Sequence, residues 1–153
     1  MSPYSRLDDE EAESPPMGEP NAFLEEALFK ARTILLTGGI DFKQAKRVCE
    51  RLLALSSANP KEPILLVISS PGGHVESGDM IHDMIKFVAA PVKVLGTGWV
   101  ASAGALIYAA AKKENRFALK NTRFLLHEPR GGVGGQATDV EIQAREILKM
   151  RER

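Results

Sequence analysis

Apolar residues recur along this chain in two alternating rhythms. Around residues 32–37, Ile34, Leu35 and Leu36 form a short run that Gly38-Gly39 ends, which predicts a strand. Asp41 with Gln44 three residues on resembles a capping box. Phe42, Ala45, Val48, Leu52 and Leu55 then recur at helical spacing and predict a helix to about residue 56. Asn59-Pro60 breaks it. Residues 64–69 read as a continuous apolar strand of the kind buried on both faces of a parallel sheet. After a turn at Ser70-Pro71-Gly72-Gly73, residues 77–89 read as a helix with Met80, Met84, Phe87 and Val88 on one side, stopped before Pro91. A third strand over 92–96, an alanine-rich helix over 102–111 and short strands over 116–119 and 123–126 follow. Residues 131–135 are glycine-rich and extended. Thr138, with Glu141 three residues later, caps a last helix that runs to Arg153. Asn21 caps a short helix to about residue 30.

Alternating strands and helices at this spacing predict an α/β fold of βαβ units, with a mostly parallel sheet and helices on its faces. No internal repeat is visible. Residues 1–20 stand apart: they hold Asp8, Asp9, Glu10, Glu11, Glu13 and Glu19 and four prolines, with few large apolar groups. Such a segment buries too little surface to offset its ordering entropy and is expected to be a disordered tail. The expected organisation is therefore a tail over 1–20, a head domain over 21–130 and a further region over 131–153.

Charge narrows the function classes. The 153 residues carry 20 basic and 20 acidic groups, so no basic excess points to nucleic acid or to an anionic membrane. The longest nearly uncharged stretch, 94–111, contains Gly96, Thr97, Gly98, Ser102 and Gly104 and is too polar for a bilayer helix. No basic start followed by an apolar run marks a signal peptide. A cytoplasmic location is expected. The single cysteine, Cys49, falls among helix-pattern apolar residues and reads as a small buried hydrophobe.

In βα-layered proteins, function gathers at the carboxyl ends of the strands. Two such ends stand out. Gly72 and Gly73 follow the strand over 64–69, where adjacent glycines let the backbone approach a ligand and donate N–H groups. They also fit a plain turn. At the second end, a strand runs into a helix with Ser102 at the helix start between Ala101 and Ala103. A serine there is commonly an N-cap. It is also where a nucleophile finds unpaired N–H groups and a positive dipole end for a developing oxyanion. A serine nucleophile needs a base. His127, at the end of an apolar strand, is one candidate and His74, beside the double glycine, a weaker one. His82 reads as a partly exposed helix residue.

Taken together, Ser70-Pro71-Gly72-Gly73, Gly98 through Ala105, Arg116-Phe117-Ala118-Leu119 with Asn121 and Arg123, His127 with Pro129, Gly131-Gly132, and the run from Gly135 to Leu148 resemble the proteolytic subunits of the Clp protease family in order and spacing. The resemblance covers residues 28–150. It implies the stacked, spiral βαβ units shared with crotonases, with a protruding handle strand and helix beginning near residue 131. It implies a serine endopeptidase that hydrolyses unfolded proteins to short peptides inside a ring-shaped chamber. Ser102 would be the nucleophile, His127 the base, and the backbone N–H groups of Gly73 and Ala103 the oxyanion donors. Gly72, His74, Val75, Pro129, Gly131 and Gly132 would line an extended substrate. Partners implied are further copies of the chain in two stacked heptameric rings, an AAA+ unfoldase and unfolded proteins, with neither nucleic acid nor membrane. No cofactor and no metal are expected, because ATP would bind the unfoldase. No G-x-x-x-x-G-K-[ST] loop is present.

The family's third catalytic residue, an aspartate, falls beyond Arg153, and Asp139 matches a different position. Either the chain is truncated or the acid comes from elsewhere, and the ending inside a charged helix with no stop signal favours truncation. Without an orienting carboxylate, the rate of such a triad falls on the order of 10⁴-fold. Ala103 stands where the family usually has methionine, and Arg130 where an apolar residue is common. The strand before Pro71 lacks the usual tyrosines and asparagine, and the acidic tail lacks the usual apolar axial-loop sequence. Three alternatives share parts of the pattern. One is a catalytically inactive ring subunit of the same fold. Another is a crotonase-like acyl-CoA-binding protein, which needs no Ser102–His127 pair. The third is a peptidase with a serine–lysine dyad, which normally carries a membrane anchor.

Overall fold

The computed structural model describes residues 21–127 together with Glu141, Ile142, Ala144, Arg145 and Leu148. In chain order the elements are α1 (Ala22–Lys30), β1 (Thr33–Thr37), α2 (Phe42–Ala58), β2 (Ile64–Ser70), α3 (Val75–Phe87), β3 (Val92–Ala101), α4 (Ala103–Ala110), a 3₁₀ turn (Lys113–Asn115), β4 (Arg116–Ala118) and β5 (Arg123–Leu125). The expected tail over 1–20 and the glycine-rich strand over 131–135 lie outside the described residues. Glu141, Ile142, Ala144, Arg145 and Leu148 are helical, as the pattern predicts.

The sheet has strand order β1-β2-β3-β4, and β5 also pairs with β3. Every pairing is parallel. β3 is long because it serves two partners on one edge: Val94 to Gly96 pair with β4, and Trp99 to Ala101 pair with β5. One apolar cluster joins Ile34, Leu36, Ile64, Leu66, Ile68, Val92 and Val94 of the sheet to Val48, Leu52 and Leu55 of α2, Ile81 and Ile85 of α3 and Ile107 of α4. The three helices therefore lie on one face. Each of these side chains, fully buried, contributes roughly 1.5–3 kcal/mol relative to exposure.

This one-sided layering corrects the expectation for β2. Its burial alternates residue by residue instead of being continuous. Leu65 and Val67 face away from the helices, and the row Leu35–Val67–Leu95–Phe117 runs in register across the open face. Leu35 is 45% and Phe117 46% exposed. The local sequence is apolar on both sides, so no alternation could be read from it.

Further details differ from the pattern, and β3 runs on to Ala101, past its expected end at residue 96. α3 starts and stops two residues earlier than predicted, and its buried positions are Ser77, Gly78, Ile81 and Ile85, with Phe87 exposed. The capping box is half made. The Asp41 carboxylate accepts from the Gln44 N–H at 2.7 Å, but the Gln44 amide donates to the Thr37 carbonyl, also at 2.7 Å.

Arg32 is not a strand residue. It sits at φ 49° just before β1, with its guanidinium buried against four carbonyls. It donates to Leu55 (3.0 Å), Asn59 (3.0 Å), Glu62 (2.9 Å) and Pro63 (3.2 Å). One cation thus satisfies the C-terminal end of α2 and the loop that enters β2. Because hydrogen bonds to charged groups contribute about 1.5–3 kcal/mol and leave costly orphans when cut, Arg32→Ala is expected to lower stability by about 3 kcal/mol, read from the urea midpoint. Arg32→Gly removes the φ strain but not this loss, so it too falls below wild type.

Cys49 is buried in α2, its thiol 3.7 Å from the Met80 carbonyl. Burial, then the Glu50 charge, push its pKa up to about 11 from 9.0. The unfolded thiol loses its proton near 9 while the folded one keeps it. Stability is therefore unaffected below pH 9 and falls between pH 9 and 11, by about 1.4 kcal/mol per pH unit. Cys49→Ala is expected to flatten that alkaline limb in denaturation curves.

Candidate active site

β3 turns into α4 through one residue, Ser102, at φ 53° and ψ −123°. That region is strained for a residue with a side chain, and such strain persists where the surroundings over-determine it. Its N–H donates to the Leu125 carbonyl at 2.9 Å, and its own carbonyl accepts from Ala105 and Leu106. The side chain makes no capping hydrogen bond. The plain N-cap role that the sequence also allowed is therefore not the one Ser102 fills. The residue is left partly exposed at the amino end of α4.

The Gly72-Gly73 corner comes directly against this residue. A Cβ on Gly72 would stand 2.6 Å from the Cβ of Ser102 and 3.1 Å from its Oγ, and Gly72 sits at φ 98°. A Cβ on Gly73 would meet the Ile40 carbonyl at 2.2 Å. The corner is tied to Ile40, whose N–H donates to the Gly72 carbonyl at 2.9 Å and whose carbonyl accepts from the His74 N–H at 2.8 Å. All described peptide bonds are trans, so the Gly73 N–H points opposite to the Gly72 carbonyl, away from Ile40. Gly73 is exposed and Gly72 buried.

Ala103 is the first residue of α4, so its N–H has no partner within the helix. The turn is packed closely on α3: a Cβ on Gly78 would lie 3.0 Å from the Cβ of Ala103. Small residues at 78, 103 and 104 hold the amino end of α4 against its neighbours. Ala103 and Gly73 thus offer main-chain donors on two segments that converge beside Ser102.

His127 follows the end of β5. Leu125 pairs with Ala101 and accepts from Ser102, and His127 follows two residues later, exposed. His74 caps α3 in position but its ring is engaged. Its Nδ1 is 2.8 Å from the Ser77 hydroxyl and its Nε2 3.0 Å from a Glu76 carboxylate oxygen. Both ring nitrogens therefore have partners on α3 itself. Val75 opens α3 beside it. His82 pairs with Asp83 at 2.9 Å, away from this corner in sequence. Pro129, Gly131 and Gly132 lie outside the described residues.

Sequence reasoning missed Ser70. It is fully buried, its hydroxyl donating to the Gly38 carbonyl at 2.6 Å and accepting from the Gly72 N–H at 3.0 Å. A polar residue ending an otherwise apolar strand was the available signal.

The geometry predicts opposite effects at two positions. Gly72→Ala places a methyl within contact distance of Ser102 at a positive φ and is expected to unfold or strongly destabilise the protein. Ser102→Gly relieves strain of about 1–3 kcal/mol and is expected to melt higher than Ser102→Ala, as scanning calorimetry of the pair reads directly.

Comparison with known proteins identifies the family. The Clp protease family model matches residues 18–153. ATP-dependent Clp protease proteolytic subunit 2 of Gluconobacter oxydans is 58% identical over 153 residues, covering 99% of this chain and 66% of that protein. Subunit 3 of Rhizobium meliloti is 56% identical over 151 residues, covering 97% and 75%. The structure of a ClpP1 point mutant from Listeria monocytogenes superposes with a TM-score of 0.76 at 52% identity, covering 85% of this chain and 71% of that one. The chain thus spans about two thirds to three quarters of the length of these relatives.

Proposed function

Since the chain belongs to the Clp protease family, we propose that it is the serine endopeptidase subunit of a Clp-type protease, with Ser102 as nucleophile and His127 as general base. One observation carries the assignment. Ser102 is held in a strained conformation at a strand–helix corner, and its hydroxyl is not spent on capping the helix.

The chemistry follows from the groups around it. The Ser102 Oγ attacks the carbonyl carbon of the scissile bond while the His127 imidazole takes its proton. The carbonyl oxygen becomes an oxyanion, which the N–H groups of Gly73 and Ala103 bind. When the tetrahedral intermediate collapses, the C–N bond breaks and the imidazolium gives its proton to the leaving amine. Water, deprotonated by the same imidazole, then attacks the ester carbonyl, and as the bond to the Ser102 Oγ breaks the imidazolium returns that proton to it. Gly72, His74 and Val75 would border the substrate on one side and Pro129, Gly131 and Gly132 on the other, pairing with its main chain. Backbone pairing reads few side chains and suits an enzyme that cuts many sequences.

The same reading gives the chain its partners: copies of itself in stacked rings, an AAA+ unfoldase that binds ATP, and unfolded proteins as substrates in the cytoplasm. No cofactor or metal is assigned to the subunit. Assembly is supported by apolar surface on α1, a helix with no buried residue, where Phe23 is 74% exposed and Leu24 and Phe29 are exposed as well. Among the described residues no helix is long and apolar enough to cross a membrane.

A fluorophosphonate probe tests the nucleophile. Wild type is expected to take one label per chain and Ser102→Ala none, with the same elution volume on gel filtration. His127→Ala is expected to slow labelling by about 10²–10⁴-fold, the usual contribution of a positioned base. Equal labelling of wild type and Ser102→Ala would remove Ser102 from the mechanism and favour the inactive-subunit reading.

A further inference from the structure

Ser70 ends β2 directly behind the corner that carries Gly73. Its hydroxyl is fully buried and is used in both directions, toward Gly38 and from Gly72. Its side chain also lies against α4: a Cβ on Gly104 would stand 3.4 Å from the Cβ of Ser70 and 3.7 Å from its Oγ. Gly104 immediately follows Ala103. One buried side chain therefore touches both the corner that bears one proposed oxyanion donor and the helix turn that bears the other.

The direction of the Gly73 N–H depends on how Gly72 is held. Glycine at φ 98° has a wide choice of conformations, and nothing in its own covalent structure selects this one. Two hydrogen bonds select it. Ser70 takes the N–H of Gly72, and Ile40 donates to its carbonyl. With both ends clamped, the peptide plane between Gly72 and Gly73 is fixed, and so is the line along which Gly73 donates. Ile40 acts through its backbone, while its buried side chain belongs to the core. Ser70 acts through its side chain.

We propose that Ser70 is a positioning residue for the oxyanion hole: its hydroxyl aims the Gly73 N–H and keeps that corner in register with the Ala103 end of α4. The proposal rests on the reading of Ser102 as nucleophile. It predicts a defect in the reacting step itself, because a misaimed donor weakens transition-state stabilisation without removing any surface that binds the ground state. Ser56 supplies an internal control. It too is a buried serine that accepts a main-chain N–H, that of Ala90 at 3.1 Å, but it joins α2 to the entry of β3, away from the site.

The experiment compares fluorophosphonate labelling kinetics of wild type, Ser70→Ala, Ser70→Cys and Ser56→Ala in the full chain, with melting temperatures alongside. Ser70→Ala is expected to lower the saturating labelling rate about 10- to 100-fold, somewhat less than outright loss of an oxyanion donor. The half-saturating probe concentration and the pH profile stay unchanged, because binding surface and base are intact. Ser56→Ala is expected to melt lower yet label at the wild-type rate. Ser70→Cys keeps the buried shape with a weaker acceptor and is expected to fall between wild type and alanine. It carries the test if the alanine variant does not fold. A wild-type saturating rate in folded Ser70→Ala or Ser70→Cys overturns the proposal, as does an equal loss in Ser56→Ala or a defect confined to half-saturation. A wild type that takes no label overturns this proposal together with the nucleophile assignment, whereas a labelled wild type with an unaffected Ser70 variant overturns this one alone.

Discussion

The approach of two backbones at Ser102 is the constraint on which the rest of this structure depends. The chain at Gly72 passes so near the Cβ of Ser102 that no side chain fits between them. Ser102 in turn occupies a backbone conformation unfavourable by about 1–3 kcal/mol. Neither condition is stable by itself. They hold because the corner is bonded on one side to Ile40 and on the other to Ser70, and because Ser102 is bonded through its N–H to β5. The strain is localised where two main-chain donors and a hydroxyl converge.

The parallel sheet is what makes this convergence possible. β1, β2 and β3 end at one edge, so the Gly38 turn, the Gly72-Gly73 corner and Ser102 arrive at neighbouring places without long loops. Packing of α3 on α4 through Gly78 and Ala103 then brings the amino end of α4 within reach of the corner after β2. Placing all helices on one face leaves the row through Val67 and Leu95 on the other side of the sheet, half-covered by the described residues. The Ser102 corner belongs to the edge between these faces and borrows rigidity from the buried one.

Much of this was legible in the sequence because it is carried by local pattern. The strand–helix alternation, the caps at Asn21 and Asp41 and the small residues around Ser102 depend on neighbours a few positions apart, and the structure keeps them. What stayed hidden depends on partners far along the chain. Arg32 meets carbonyls 23 to 31 residues away, and Ser70 meets Gly38 across 32 residues. No spacing rule reports such contacts. The one-sided burial of β2 was concealed for a different reason: Leu65 and Val67 are as apolar as Leu66 and Ile68, so composition could not tell a covered face from an open one. The His74 ring contacts, to Ser77 and Glu76, lie within a few residues of it yet follow from no spacing rule.

The seam between β3 and β5 has a consequence for how this protein fails. β4 and β5 are three residues long, with Phe117, Phe124 and Leu125 only about half buried, and they hang on one edge of a strand whose other edge is locked into the core. Segments with little buried contact open at lower free energy than the whole molecule. On the proposed assignment, the nucleophile is rooted in the core and its proton acceptor in this outer flap. On that assignment, local opening of this edge would separate the two groups at a lower free energy than unfolding of the core.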